Sequence, residues 1–203
     1  DLIGILDDVP KAVLASPATN ASITLDETSL TGASINASAS FAGQFSTAAD
    51  VFNADRPGTF SYALNLSGSN VASGLYALDA ADTVSTDGDG IGQGSQILLN
   101  KVGNDIVGTV GGTEYIRLAV NATTGAITFT QSKNLWHPTT GNNDEAATLT
   151  VASGGLTLAQ TVTDADGDTS TVSYDLGANS AFKVKDDGPT AVLASPAPNP
   201  GAS

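Results

Sequence analysis

Short segments in which apolar and polar residues alternate run along most of this chain, and they constrain its fold more than any other feature. A period of two places every second side chain on one face of a strand, whereas a helix needs apolar residues three or four positions apart. Turn-forming pairs rich in Gly, Asn and Asp separate the segments. The alternating segments are residues 60–66, 116–120, 126–131, 156–158, 161–163 and 169–174. This pattern predicts a chain built almost entirely of β-strands.

The number and spacing of these segments predict a two-layered sandwich. About ten to eleven short strands follow one another at the spacing typical of all-β sandwiches. We predict an immunoglobulin/cadherin-like β-sandwich over residues 9–187, which is larger than a minimal domain of that kind. It therefore holds extra strands or a long inserted loop. The best candidate for the loop is the stretch 79–94, which reads DAADTVSTDGDGIGQG.

The two ends of the chain repeat each other. Residues 7–18 read DDVPKAVLASPA and residues 186–197 read DDGPTAVLASPA, so ten of twelve positions are identical at an offset of 179. This period is too long for a solenoid and has the size of a whole domain. The repeat predicts a tandem array. Residues 1–8 are then the tail strand of a preceding repeat, residues 9–187 one full repeat, and residues 188–203 a linker and the start of the next.

The charge of the chain indicates which partners to expect. It carries a formal net charge of -14, from 21 acidic and 7 basic residues. Asp predominates among the acids, and Asp favours turns and binds hard cations through oxygen. Such a surface repels nucleic acid and anionic lipid, and no apolar run has the length of a membrane span, so we expect neither partner. Because the chain has no Cys, a bound metal is the natural clamp for the fold.

Acidic residues fall into clusters that are candidate metal sites. Carboxylates confined to one turn repel one another unless a cation shares their oxygens, and Ca²⁺ takes six to eight such ligands. We therefore predict Ca²⁺ as the cofactor. The candidate ligands are Asp164, Asp166 and Asp168 in a turn between two strands, Asp186 and Asp187 at the repeat boundary with their counterparts Asp7 and Asp8, and Asp26 and Glu27 after an apolar strand.

Strand direction predicts where these clusters meet. If the strand before Asp164 runs up, residues 169–174 run down and residues 181–185 run up again. Asp186 then arrives at the same end of the sandwich as the turn at 164–168. The Asp7–Asp8 pair lies at the other end, where Asp26 or Glu27 completes a junction with the preceding repeat. The hypothesis is one Ca²⁺ site at each junction between domains.

Each cluster also has an interpretation without a metal. The segment 164–168, which reads DADGD, fits an ordinary Asp-Gly hairpin turn. It does not fit an EF-hand loop, because Thr169 stands where that loop needs Gly. The boundary pair fits a stiff, solvated linker, and Asp26–Glu27 fits a solvated strand end. Asp87 and Asp89 fit either a second ion site within the domain or a loop without a ligand.

His137, the single histidine, gives little support for catalysis. One His without any Cys cannot form a Cys-containing zinc site. A Ser-His-Asp arrangement would need His137 beside a Ser and an Asp in a cleft, but the chain has no GxSxG elbow and Pro138 follows the His directly. We therefore do not expect an enzyme. Trp136 is expected to plug the edge or the core of the sandwich.

An ordered set of motifs resembles a known family, the tandem extender repeats of type I-secreted RTX adhesins that are labelled T1SS-143 repeats. The set extends along nearly the whole unit. Its elements are LDETSL at 25–30, YALNLSG at 62–68, SGLY at 73–76, AITFTQ at 126–131, LWHP at 135–138, TVTDADGD at 161–168 and DDGP at 186–189. The ordered set as a whole makes the resemblance specific, and VTDADGD followed by DDGP at this distance is its most specific pair.

The resemblance implies a calcium-stabilised structural spacer in a large bacterial surface adhesin. Such a chain is exported by type I secretion, lies outside the cell, and supports adhesion and biofilm formation. Its partners are the neighbouring repeats of the same chain, and each unit is monomeric. The unit is longer than the usual repeat, so an inserted region within 79–112 is left open as a functional loop. The alternative is a ligand-binding adhesin module, in which Trp136, Tyr76 or Tyr115 contacts a carbohydrate or a surface.

Overall fold

The computed structural model describes residues 8–17, 20–53, 56–138 and 144–187, without the side chains of residues 49 and 50. Twelve strands and three short 3-10 helices occur in these ranges. The 3-10 helices are Glu27–Ser29, Ala42–Gln44 and Ala49–Phe52. The strands are β1 (Ile23–Asp26), β2 (Ile35–Ser40), β3 (Thr59–Leu66), β4 (Val71–Leu78), β5 (Gln93–Val102), β6 (Asp105–Val110), β7 (Thr113–Val120), β8 (Ala126–Gln131), β9 (Ala146–Thr148), β10 (Leu156–Thr163), β11 (Thr169–Asp175) and β12 (Phe182–Lys185).

A six-stranded sheet forms one layer, in the order β2-β8-β7-β6-β5-β4. All of its pairings are antiparallel, and consecutive strands from β4 to β8 are neighbours. The hairpin between β6 and β7 turns at Gly111 and Gly112, whose φ angles are 56° and 83°. Two positive φ angles in a two-residue turn match the twist of the flanking strands, and glycine adopts them without steric cost.

Two three-stranded sheets form the facing layer. One has the order β11-β10-β3 and is antiparallel throughout. The other has the order β1-β12-β9, in which β1 pairs with β12 in parallel through Ile23–Phe182 and Leu25–Val184. The parallel pair joins the two ends of the domain, which no hairpin could do.

The core lies between the layers. Leu64 and Phe182 from the three-stranded sheets, and Leu118 and Phe129 from the six-stranded sheet, are each at most 1% exposed. The rings of Phe129 and Phe182 lie 5.4 Å apart across the layers. Burial of each such side chain stabilises the fold by about 1.5–3 kcal/mol. The alternation along β8, in which every second residue is buried, is what the sequence pattern predicts.

The segment before β1 packs on the sandwich beside β11. The backbone N–H of Lys11 donates to Val51 O at 2.7 Å, and that of Ala12 donates to Ser170 Oγ at 3.1 Å. Leu14 forms an isolated bridge with Phe45. Residues 8–15 therefore enter the domain next to the hairpin that joins β10 and β11. Residues 1–7 and 188–203, predicted to belong to neighbouring repeats, lie outside the described residues.

The predicted all-β sandwich with extra strands is confirmed. The two predicted segments 156–158 and 161–163 are one strand, β10. The predicted loop at 79–94 corresponds to the connection between β4 and β5, whereas the rest of the region 79–112 forms strands of the six-stranded sheet. Within the part of the chain that the structure describes, no helix has the length and apolar character of a membrane span.

Candidate functional site

The structure gathers ligand-type side chains into three clusters, in each of which the candidate ligand atoms lie within 4.8 Å of one another. One is in the β10–β11 turn, one is in the β4–β5 loop, and one joins three distant parts of the chain. Their members are Asp164, Asp166 and Asp168; Asp82, Asp87 and Asp89; and Glu27, His137 and Asp186. The first and third contain predicted ligands, and Asp87 and Asp89 of the second were considered from the sequence as an alternative ion site.

The DADGD turn is built around the buried side chain of Asp164, which is 6% exposed. Its Oδ1 accepts hydrogen bonds from the backbone N–H of Gly167 at 3.1 Å and of Asp168 at 2.8 Å. Gly167 has φ of 107°, a conformation that favours glycine and that closes the turn. These bonds hold the carboxylates of Asp164, Asp166 and Asp168 on one side of the turn.

The second oxygen of Asp164 is the feature of the turn that bears on cation binding. Oδ2 is buried and has no hydrogen-bond partner among the described residues. Burial raises the pKa of the Asp164 carboxyl, and the neighbouring carboxyl of Asp166 raises it further. A cation shared by the three carboxylates would reverse both effects, and a donor set of oxygen atoms alone suits Ca²⁺. The residues present therefore fit a calcium ion.

Glu27 is the centre of the third cluster. The chain leaves β1 through Asp26, whose Oδ1 accepts the N–H of Thr28 at 3.0 Å and so caps the 3-10 helix. This cap turns Glu27 inward, where it is 2% exposed. Its Oε1 accepts hydrogen bonds from the N–H of Leu135, at 2.8 Å, and from Nε2 of Gln131. The carboxylate thereby joins the end of β1 to the end of β8.

The other oxygen of Glu27 faces His137, with Oε2 and Nε2 3.9 Å apart. The His137 side chain is 5% exposed, and neither ring nitrogen has a hydrogen-bond partner in the described residues. Asp186 completes the cluster at the end of β12, where its N–H donates to Glu145 O at 2.9 Å.

The electrostatics of this cluster are dominated by burial and negative charge. Burial alone would lower the pKa of His137, but Glu27, Asp186 and Glu145 together raise it above its ordinary value. Burial raises the pKa of Asp186, although the charge of His137 opposes that effect. Several carboxylates thus act on one imidazole whose side chain is 5% exposed.

The remaining predicted ligands lie elsewhere. Asp26 is exposed and its pKa is lowered by the hydrogen bonds with Thr28, so it acts as a helix cap. Asp8 Oδ1 accepts a hydrogen bond from Asn53 Nδ2 at 3.2 Å. Asp187 is exposed, and Asp7 lies outside the described residues.

The sequence predicted that Asp186 meets the DADGD turn at one end of the sandwich. In the structure the two belong to different clusters. The prediction assumed that the 175–180 loop reverses the chain, so that residues 181–185 run back toward the DADGD turn. In the structure β12 lies in a different sheet from β11, between β1 and β9, and leads Asp186 to Glu27. The DADGD turn lies on the side where the segment before β1 enters, since Ala12 contacts Ser170.

The β4–β5 loop folds over the single Trp. Trp136 Nε1 donates to Ile91 O at 3.0 Å, and its ring meets that of Tyr76 edge-on with centroids 6.0 Å apart. Asp82 fixes the loop by accepting hydrogen bonds from the N–H of Val84 and of Gly92. Asp87 and Asp89 are exposed. Trp136 is half-buried at the edge of the sandwich, in the position that the sequence led us to expect.

His137 is the residue of the third cluster that sequence reasoning set aside. Its position facing Glu27 is what assigns it to a site. The hydrogen bond that brings the two segments together runs from Leu135 N–H to Glu27 Oε1 and joins residues 108 positions apart. The local signal was a single His directly after Leu135 and Trp136, which has no metal-ligand spacing of its own.

One comparison with known proteins gave a match. Residues 22–177 match the family described as "Domain of unknown function (DUF5801)". The matched range contains Glu27, His137 and the whole DADGD turn, and it ends before Asp186. No curated protein and no solved structure shows a significant match to the chain.

Proposed function

The chain belongs to the DUF5801 family, and we propose that it is a calcium-stabilised extender module of a large bacterial surface adhesin. In this role it acts as a spacer between neighbouring repeats of the same extracellular chain, exported by type I secretion, and supports adhesion and biofilm formation. The observation that carries the proposal is the buried Asp164, which lies beside Asp166 and Asp168 and whose Oδ2 has no hydrogen-bond partner in the described part of the chain. The resemblance to RTX adhesin repeats supports the cellular setting.

Calcium would act on the turn in two ways. It offsets the burial of Asp164 and the effect of the neighbouring Asp166 carboxyl, which together raise the pKa of the Asp164 carboxyl. It also supplies a partner for the buried Oδ2. Because extracellular Ca²⁺ is in the range at which extracellular modules bind, about 10⁻⁴–10⁻³ M, such a site fills outside the cell and stays empty in the cytosol.

The sequence repeat supports a role at the junction between units. Asp8 is the counterpart of Asp187 at the offset of 179. In this domain Asp8 contacts Asn53, next to the 3-10 helix that packs on Val162 at the end of β10. In a tandem array Asp187 would reach the equivalent place in the next unit, near that unit's DADGD turn. The boundary pair thus bridges two units, with Asp186 held in its own.

The test is thermal unfolding of the chain in EDTA, in Ca²⁺ and in Mg²⁺. A site with Kd of about 10⁻⁴–10⁻³ M stabilises the folded state by about 1–2.3 kcal/mol at about 5 mM Ca²⁺. For a domain of this size the melting temperature should rise by about 2–9 °C. Mg²⁺ should give a smaller rise, because it keeps its waters and demands a tighter octahedral site.

Matched double variants locate the effect. Asp166→Asn with Asp168→Asn, and Asp87→Asn with Asp89→Asn, each remove two charges from an acidic loop. The first pair should abolish the Ca²⁺-dependent rise and the second should keep it. Loss of the rise only in the Asp87/Asp89 variant would move the ion to the β4–β5 loop, and equal stability of the wild type in EDTA and Ca²⁺ would refute the clamp altogether.

The ligand-binding alternative has one observation in its favour. Tyr76 and Trp136 are partly exposed beside a shallow cleft that Pro138 and β9 also line, and the acidic β4–β5 loop contacts Trp136. A sugar stacked there would change the emission of the single Trp. Titration with monosaccharides and with bacterial or host oligosaccharides should shift Trp136 fluorescence if this function is correct, and Trp136→Phe with unchanged glycan binding would refute it.

A further inference from the structure

We propose that Glu27, His137 and Asp186 form a mixed nitrogen–oxygen site for a divalent transition-metal ion, for which Zn²⁺ is the probe. The site differs in chemistry and position from the calcium site proposed at the DADGD turn, and it does not depend on that site. It would fasten the boundary residue Asp186, which follows the last strand of the domain, to the 3-10 helix that follows its first strand, β1.

The geometry leaves room for an ion between His137 and Glu27. Their Nε2 and Oε2 atoms are 3.9 Å apart, which is too long for a hydrogen bond. Two ligand atoms at about 2.0–2.1 Å from a tetrahedral Zn²⁺ lie about 3.3–3.4 Å apart, so the two side chains need to approach by only about half an ångström to bind one ion. Asp186 offers a carboxylate oxygen that lies within 4.8 Å of a ligand atom of each of these two residues and supplies the third ligand.

The unpartnered imidazole is the independent sign of a ligand. The His137 side chain is more than nine-tenths buried, at 5% exposed, and both ring nitrogens lack a hydrogen-bond partner among the described residues. A buried polar group without a partner costs about 1–3 kcal/mol. Coordination of Nε2 removes part of that cost, since the nitrogen lone pair then bonds to the metal.

The surrounding charges favour a dication over a proton. Glu27, Asp186 and Glu145 all act on His137 electrostatically. A single proton on the imidazole balances one of these three negative charges, whereas a divalent ion balances two. Glu27 is also pre-oriented, because Leu135 N–H and Gln131 hold its Oε1 and leave Oε2 directed at the site. Hydrogen bonds of this kind commonly orient metal ligands.

The ligand set selects the class of metal. Ca²⁺ prefers six to eight oxygens in a flexible shell, and an imidazole nitrogen is not among its usual ligands. Imidazole with carboxylate suits Zn²⁺ and its neighbours in the first transition row. Three protein ligands leave the fourth tetrahedral position of Zn²⁺ to water.

The single His makes the test direct. The chain, prepared without a histidine tag and stripped with EDTA, is titrated with Zn²⁺ while the His137 ring resonances are followed by NMR and the heat by calorimetry. We expect the His137 resonances to shift until one equivalent has been added. Millimolar Ca²⁺ should not displace the Zn²⁺, because the two ions then occupy different clusters.

Two variants and one control assign the ligands. His137→Gln and Asp186→Asn should each weaken Zn²⁺ binding by more than the roughly 10- to 100-fold that loss of a merely supporting residue costs. The Asp166→Asn/Asp168→Asn variant should bind Zn²⁺ as the wild type does, even though it loses the Ca²⁺ response. Asp186 is only partly buried, so its variant should fold even if the His137 variant does not.

Three results would overturn the proposal. They are His137 resonances that do not respond to Zn²⁺, Zn²⁺ affinity that survives in a folded Asp186→Asn variant, and displacement of the bound Zn²⁺ by millimolar Ca²⁺. The first means that the cluster is an ion-paired histidine without a metal, the second that Asp186 is not a ligand, and the third assigns the cluster to calcium. Each is separate from the thermal shift with Ca²⁺, so either proposal can fail alone.

Discussion

Replacement of Glu27 by Ala should destabilise the domain more than any other change at its polar sites. Glu27 is 2% exposed, and its carboxylate is the acceptor for the N–H of Leu135 and for Nε2 of Gln131. Ala removes this acceptor and leaves both donors inside the fold. Gln131 keeps a second acceptor, Lys133 O at 3.0 Å, whereas Leu135 N–H loses its bond to the carboxylate.

The structure sets the size of the effect. Each hydrogen bond to a charged acceptor contributes about 1.5–3 kcal/mol net. Removal of a buried carboxylate also saves the cost of burying its charge. That saving is small here, because His137 Nε2 lies 3.9 Å from the carboxylate and offsets part of the cost. Breaking a buried charged arrangement of this kind costs about 3–5 kcal/mol, and we expect that range for Glu27→Ala. Glu27→Gln keeps an oxygen for Leu135 N–H and should cost about 1–2 kcal/mol, the value of the lost charge assistance.

Urea unfolding in EDTA measures both variants without any contribution from bound metal. Trp136, the single Trp, lies next to Leu135 in the chain and reports the transition by fluorescence, with circular dichroism as the second probe. Glu114→Ala is the matched control, because Glu114 pairs with Arg117 at a side-chain exposure of 34%. A pair this exposed contributes about 0–1 kcal/mol.

The ranking of the three variants by loss of unfolding free energy tests whether the buried Glu27 carboxylate stabilises the fold. We expect Glu27→Ala to lose most stability, Glu27→Gln less and Glu114→Ala least. If Glu27→Ala costs under about 1 kcal/mol, or no more than Glu114→Ala, the buried carboxylate does not join β1 to β8 in the way described.

Two further changes test other parts of the fold. A Cβ at Gly58 would collide with the Thr163 carbonyl oxygen and the Phe52 ring, so Gly58→Ala should destabilise the domain by about 1–3 kcal/mol. Gly68→Ala is the control, because no described heavy atom lies within 4 Å of its added Cβ. In the same urea assay its effect should stay within about 0.5 kcal/mol. Partial burial would raise the pKa of Asp175, but the N–H groups of Ala178 and Gly154 and the Ser153 hydroxyl donate to it and together lower the pKa. A depressed folded-state pKa stabilises the fold above the unfolded value of about 3.9 and loses that contribution as the pH falls through the folded value. The stability difference between wild type and Asp175→Asn should therefore shrink below about pH 4, and a difference that is constant from neutral to acid pH would contradict the assignment.

Much of the fold could be predicted because its signals are local. Alternation identifies β8 and β11 within six or seven residues, and the Gly pair at 111–112 marks a hairpin by itself. The parallel pairing of β1 with β12 has no such signal. It pairs Ile23 with Phe182, and neither four-residue strand carries a sequence pattern that identifies the strand it pairs with.

The same distinction separates the two candidate sites. Asp164, Asp166 and Asp168 lie within five residues, so their proximity follows from any tight turn, and the structure gathers them as expected. Asp186 and Glu27 were both chosen from the sequence, but their meeting depends on β12 lying beside β1. His137 joins them only because Leu135 bridges to Ala77 of β4 and donates to Glu27.

Locality also determines how each ion would couple to folding. The DADGD carboxylates are close in sequence, so the unfolded chain retains part of their affinity for Ca²⁺, and binding to the unfolded state subtracts from the stabilisation. Glu27, His137 and Asp186 come together only after β1 and β12 have paired, so their affinity belongs to the folded state alone. At equal saturation of the folded domain, Zn²⁺ should therefore raise the melting temperature by nearly the full amount that its Kd requires. Ca²⁺ should fall short of the value calculated from its own Kd, because part of its binding energy is available before the sandwich forms.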